Sequence, residues 1–130
     1  MLQDFMDYSL LRRELLIAIR KKRSQQQLSS QLGFKFNQMY RWESGQTEVS
    51  WTDFLQVCEV CKVPLPSILK KCFSYSSNLE DWPKLIRHFV GKESIASIAK
   101  VCGVSRHTVS RWLAKKNCPP FETILALINY

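Results

Sequence analysis

Two groups of side chains in this 130-residue chain could do chemistry. The first is a pair of thiols, Cys58 and Cys61, at the C-x-x-C spacing that can hold a metal or cycle through a disulfide. A tetrahedral metal site needs four ligands, and neither a second pair nor a close His cluster completes one. The pair also lies in an apolar stretch of helical period, where cysteine behaves as a small hydrophobe. The cysteines number five in all, in a chain without an export signal, which argues against a disulfide framework. The second group is basic: Arg41-Trp42 and Arg111-Trp112 are two copies of one dipeptide, each inside a cluster of Lys and Arg. Residues 10–45 carry a net +6, residues 82–118 a net +7, and the remainder −5. Positive charge segregated onto two stretches is the electrostatic footprint of a polyanion partner. There is no Ser-His-Asp or Cys-His set on plausible turns, no phosphate-binding Gly loop and no paired carboxylates. No enzymatic activity, small-molecule substrate, cofactor or metal is implied.

The two basic stretches are copies of one another at a constant offset of 70 residues, which sets Ser24 on Ser94 without a gap. Leu28 then meets Ile98, Ser29 meets Ala99, Gly33 meets Gly103, Phe34 meets Val104 and Met39 meets Val109. Upstream, Leu15, Leu16 and Ile19 fall on Leu85, Ile86 and Phe89; downstream, Trp51, Phe54, Leu55 and Val57 fall on Phe121, Ile124, Leu125 and Leu127. A repeat of this kind predicts two similar structural units. The boundaries it suggests are a first domain over residues 1–73, a polar linker over residues 74–78 and a second domain over residues 79–130.

Every positioning element reads as helix. Leu11, Leu15, Leu16 and Ile19 recur at three- and four-residue spacing, one face of a helix from Leu10 to Arg20. Ser24 with Gln27 forms a capping-box start for a second helix closing at Gly33. A third follows the turn Gly33-Phe34-Lys35, a fourth is capped by Ser50 and runs to Cys61, and a fifth opens at Pro64 and ends near Phe73. The second copy repeats the order, with Pro83 tolerable in a first helical turn. No segment alternates with the period of a strand. The expected class is all-α.

The stretch from Ser24 to Gly45, with Leu28-Ser29, Gly33-Phe34, Met39 and Arg41-Trp42 at their spacing, resembles the phage-repressor (lambda-repressor-like, Cro-type, xenobiotic-response-element) family of helix-turn-helix domains; Ser94 to Trp112 resembles it again. A small residue (Ser29, Ala99) lets the third helix cross close over the second, and Gly33 or Gly103 permits a left-handed turn. The resemblance implies two tandem units of four to five short helices. It places helices 36–44 and 106–114 in the major groove of double-stranded DNA, with their early exposed residues at base edges. In the first copy these are Phe36, Asn37, Tyr40 and Arg41, with Lys35 and Gln38 nearer the backbone. In the second they are Arg106, His107, Ser110 and Arg111, with Ser105 and Thr108 nearer the backbone. Arg suits guanine O6 and N7, and Asn suits adenine N6 and N7. Phe36 is open to two readings, contact with a thymine methyl or packing on its own domain, and His107 to base contact or an ordinary exposed position. The resemblance also gives Gln25 the role of a phosphate clamp, which Ile95 cannot fill. Lys35 departs from the pattern, because Ser or Thr usually caps the third helix there and Lys cannot accept from its N–H groups. Trp42 and Trp112 read as core.

Comparing the copies with each other adds one contact. Arg20 aligns with Val90 and Glu43 with Leu113, one charged pair exchanged for one apolar pair, so Arg20 and Glu43 are expected to form a partly buried salt bridge. The function this suggests is sequence-specific DNA binding by a bacterial or phage transcription regulator. The alternatives are a protein-interaction module on a helix-turn-helix scaffold, or the DNA-targeting part of a larger recombinase or nuclease. A homodimer partner or another regulatory protein is compatible with each. With no run of 18 apolar residues, a cytoplasmic, nucleoid-associated protein without membrane contact is the expectation.

Overall fold

The computed structural model describes residues 7–64 and 79–129; the fifth helix expected at residues 64–73, Pro64 excepted, and the linker at residues 74–78 lie outside them. Eight helices are present among the described residues: α1 (Tyr8–Arg20), α2 (Gln25–Gln31), α3 (Gln38–Ser44), α4 (Trp51–Val60), α5 (Trp82–Val90), α6 (Ile95–Cys102), α7 (Arg106–Leu113) and α8 (Phe121–Ile128). The only β-type pairing among the described residues is one isolated antiparallel bridge, between Ser50 and Pro120. The fold is all-α. None of these helices is long and apolar enough to cross a membrane.

Local chemistry sets most of the helix ends. Asp7 caps α1 by accepting from Leu10 N at 2.9 Å, which starts the helix two residues before the apolar period does. Ser24 caps α2 in a complete capping box: its Oγ accepts from Gln27 N at 3.0 Å while Gln27 Oε1 accepts from Ser24 N at 3.0 Å. Ser50, Asp81, Ser94 and Ser105 cap α4, α5, α6 and α7 through their side chains. Pro83 sits in the first turn of α5, where a missing N–H is harmless.

The backbone repeats as the side chains do. Six of the seven residues with positive φ among the described residues fall at matching places: Lys21 (52°) with Gly91 (59°), Gly33 (82°) with Gly103 (69°), and Gly45 (84°) with Lys115 (60°), while Lys62 (55°) has no counterpart. At two of the three places one copy keeps this conformation without glycine.

The core runs through both copies. Leu16, Leu28, Met39, Trp51, Phe54 and Val57 bury completely, as do Val109, Phe121 and Leu125. These side chains belong to one continuous cluster. At its centre Phe54 stacks on Phe121 with ring centroids 3.8 Å apart, and Trp51 lies parallel to Phe121 at 6.2 Å. Trp51 N donates to Pro119 O at 2.9 Å, and Phe121 N donates to Val49 O at 2.8 Å, on either side of the Ser50–Pro120 bridge. Cys58 and Cys61 are both buried in this cluster. Burial pushes the Cys58 thiol up to about 11, with Cys61 beside it adding to the rise, and burial also raises Cys61. Thiols held protonated in an apolar setting are structural rather than reactive.

Candidate nucleic-acid interface

In the second copy, α7 is laid across α6 and its start is fixed by Ser105, whose Oγ accepts from Thr108 N at 3.1 Å and lies 2.9 Å from Thr108 Oγ1. The cap places Arg106 and His107 in the first turn of α7, with Ser110 and Arg111 one turn on. Residues three and four apart share a helix face, so these four side chains form one surface. Arg106, His107 and Ser110 are exposed, and Arg111 is half-buried. The Asn117 side-chain oxygen accepts from the Arg111 guanidinium in either orientation of the amide, at 3.3 Å as placed and 3.0 Å when swapped. Asn117 thereby limits the freedom of a long side chain. Ser105 and Thr108 remain near the helix start, engaged in the cap.

The first copy delivers its side chains differently. Its α3 begins at Gln38, so the helix expected from residue 36 starts two residues late, and Phe36 and Asn37 stand in the preceding turn. Lys35 occupies the position of Ser105 and cannot accept a hydrogen bond, and Asn37, at the N-cap, makes no side-chain cap bond. The missing cap is replaced from another helix: Ser29 Oγ on α2 accepts from Met39 N at 2.9 Å while donating to Gln25 O at 2.8 Å. Ala99, at the matching place in α6, has no hydroxyl, and there the cap is Ser105 itself. Each copy carries one hydroxyl for the start of its third helix, from opposite sides.

Phe36 is 67% exposed and Tyr40 51%, so neither packs into the core, and Phe36 does not take the packed alternative. Lys35 and Asn37 are exposed as well, Arg41 is half-buried, and Gln38 donates through Nε2 to Thr47 Oγ1 at 3.3 Å. Trp42 and Trp112 are each 3% exposed and belong to the core, with Trp42 edge-on to Phe34 at 5.3 Å.

Glu43 organises the hydrogen bonds behind the first copy's candidate surface. It is buried, and its carboxylate accepts from Arg20 Nε at 2.8 Å, Arg20 Nη2 at 3.2 Å and Gln25 Nε2 at 2.9 Å. Arg20 Nη1 also donates to Arg23 O at 3.1 Å. Gln25 therefore spends one of its two amide hydrogens on Glu43. At the positions matching Arg20 and Glu43, Val90 is buried and Leu113 packs against the core.

One buried charged group lay outside the sequence reading. Arg12 is buried on α1, donates from Nη1 to Glu122 on α8, and points Nη2 at Glu43 O, 3.4 Å away at the end of α3. It ties the C-terminal end of one candidate reading helix to the other copy. The signal was present in the repeat: Arg12 stands where the second copy has Trp82 and Glu122 where the first has Thr52, a second charged pair confined to one member of each match. Trp82 is buried and donates from Nε1 to Trp112 O at 2.9 Å, so both residues reach the end of a third helix from a first one.

The comparisons with known proteins bear on the second copy. Residues 84–117, from α5 through α7 and about a quarter of the chain, match the family model of the homeodomain-like domain. No curated protein and no solved structure matches the chain significantly. The match supports a helix-turn-helix DNA-binding family, without singling out the phage-repressor type and without reaching the first copy.

Proposed function

We propose that this chain is a sequence-specific double-stranded DNA-binding protein acting as a transcription regulator, with α3 and α7 as its two reading helices. The observation that carries the reading is the surface of α7: Arg106, His107 and Ser110 stand free in solvent on a helix fixed by its own cap, inside the segment similar to homeodomain-like domains. Arg106 and Arg111 offer the forked donors that pair with guanine O6 and N7, and Asn37 in the first copy suits adenine. Gln25, Lys35, Gln38, Ser105 and Thr108 flank these residues as phosphate contacts, and the charge of +6 and +7 on the two stretches draws the duplex in. Such a protein works in the cell's DNA-containing compartment, as a nucleoid-associated protein would in a bacterium.

The test is a binding titration of the chain on labelled duplex DNA across a salt series. With about six phosphates neutralised, log K falls with log salt at a slope of roughly −5. Absence of binding at low salt, or a flat salt response, removes the reading. A second reading, in which the first copy contacts a protein rather than DNA, draws on the exposed Phe36 and Tyr40. Under it, Phe36→Ala with Tyr40→Ala leaves DNA affinity unchanged.

A further inference from the structure

Around the Ser50–Pro120 bridge the contact between the copies is symmetric, although α1 also packs on α8 with no comparable contact between α4 and α5. Under the offset that sets Ser24 on Ser94, Trp51 matches Phe121 and Val49 matches Pro119. The hydrogen bond from Trp51 N to Pro119 O is therefore the image of the bond from Phe121 N to Val49 O, and their lengths, 2.9 and 2.8 Å, agree. Ser50 and Pro120, which match each other, pair antiparallel between them, so the pseudo-axis passes through that bridge. The stacked rings of Trp51 and Phe121 are likewise a self-matching pair. A surface in which i meets j and j meets i is isologous, the pattern that a two-fold rotation generates and a translation does not. Two copies stacked head to tail would have paired unlike positions.

From this we infer that the chain is a covalent pseudo-dimer that binds, as a single chain, two different half-sites arranged as an inverted pair. The inference rests on the DNA-binding reading above. The local half-turn at the Ser50–Pro120 bridge, extended to the reading helices, carries α3 onto α7, so the two helices meet the duplex in opposite directions along it. Reach is compatible with one duplex face. Ser44 ends α3 six residues before Ser50, and Leu113 ends α7 seven residues before Pro120. At the extended limit these tethers reach no more than about 22 and 25 Å from the axis, against the roughly 34 Å between successive major-groove turns. The half-sites differ because the reading residues differ: Phe36, Asn37 and Tyr40 in one, Arg106, His107 and Ser110 in the other. The surface that holds the copies together is buried within the chain, with Trp51, Phe54 and Phe121 completely covered, so it is not offered to a second copy.

Making the two readers alike exposes the symmetry. In the full chain, Lys35→Ser, Phe36→Arg, Asn37→His, Gln38→Thr and Tyr40→Ser together place the second copy's reading residues on the first. Duplexes are then selected from a random pool with the natural chain and with this variant, and the number of chains per bound duplex is measured by mass. The natural chain is expected to enrich one asymmetric site at one chain per duplex. The variant is expected to enrich an inverted repeat of a single block, with centres about 10 base pairs apart. A direct repeat, a single block, or two chains per duplex overturns the pseudo-dimer inference and leaves DNA binding standing; no enrichment by the natural chain overturns DNA binding itself. If circular dichroism shows that the variant does not fold, the reciprocal graft in the second copy (Ser105→Lys, Arg106→Phe, His107→Asn, Thr108→Gln, Ser110→Tyr) reads the same outcomes.

Discussion

Replacing Arg20 with Val should destabilise the protein more than replacing Arg20 and Glu43 together with the Val and Leu of the second copy. The side chain of Glu43 is 5% exposed and that of Arg20 20%. Three of the carboxylate's hydrogen bonds come from within the protein, two of them from Arg20. Arg20→Val leaves a buried carboxylate with one neutral donor, Gln25, and breaking one side of such a pair costs about 3–5 kcal/mol. The low end applies, because Gln25 remains and water can enter from the side Arg20 vacates. Glu43→Leu should cost less, roughly 2 kcal/mol, because a partly exposed guanidinium can hydrate and keeps Arg23 O as a partner. The double change Arg20→Val with Glu43→Leu removes both charges and their desolvation, and should lie within about 1 kcal/mol of the natural chain. The coupling in a double-mutant cycle is then about 4 kcal/mol. Urea unfolding followed by tryptophan fluorescence measures it, since a loss of 3 kcal/mol moves the midpoint by roughly 2 M at a slope near 1.5 kcal/mol per M. Additive single-variant losses, or an Arg20→Val loss under about 1 kcal/mol, would refute the reasoning.

Four further outcomes can be checked. Arg41→Ala and Arg111→Ala should each lower affinity for the preferred duplex by about 1–3 kcal/mol and relax preference at one base position; equal weakening on all duplexes would assign both to the phosphates. Ser29→Ala strips Met39 N of its acceptor and should cost about 1–3 kcal/mol, and adding Lys35→Ser should recover about 1 kcal/mol by giving α3 its own cap. Lys21→Gly should raise Tm by a few degrees, because a side chain at φ 52° and ψ −116° stores about 1–3 kcal/mol, more than the 0.5–1 kcal/mol entropic cost of glycine; a lower Tm removes the strain from the account. Burial holds the Cys58 and Cys102 thiols protonated up to about 11, above the ordinary 9.0, so the folded chain keeps protons that the unfolded chain releases. Stability from this source is complete below pH 9 and declines as pH rises through 11, and Cys58→Ala with Cys102→Ala should flatten that decline in a Tm series.

Much of the fold was legible because its signals are local. Helix period, Ser24 with Gln27, Ser50 and Pro83 each act within four residues, and the structure places helix starts where they point. The late start of α3 was half legible. Lys35 announced a missing cap, but which residue would satisfy the helix depended on Ser29, which meets Met39 N only after α2 and α3 have crossed. Sequence spacing carries no information about which face of α2 that crossing uses. Arg12 was harder still: its position in the apolar period gives a buried site on α1, but its partner Glu122 lies 110 residues away on a helix that reaches it only through the contact between copies.

The repeat supplied what periodicity could not, because it holds the backbone fixed while the side chains vary. Where Lys21 replaces the glycine of position 91, or Lys115 that of position 45, the chain keeps positive φ at the expense of strain, so the turn is imposed by the packing around it and not by the residue in it. Where Ser29 and Ser105 exchange the cap between helices, the requirement conserved between copies is a hydroxyl at the start of the third helix, whichever element supplies it. The same reasoning separates the charged pairs from the reading residues. Arg20 with Glu43 and Arg12 with Glu122 each have a compensating neighbour within the protein. The changes from Phe36, Asn37 and Tyr40 to Arg106, His107 and Ser110 have no such neighbour among the described residues. Their exposure is what the proposed reading of two unlike half-sites draws on.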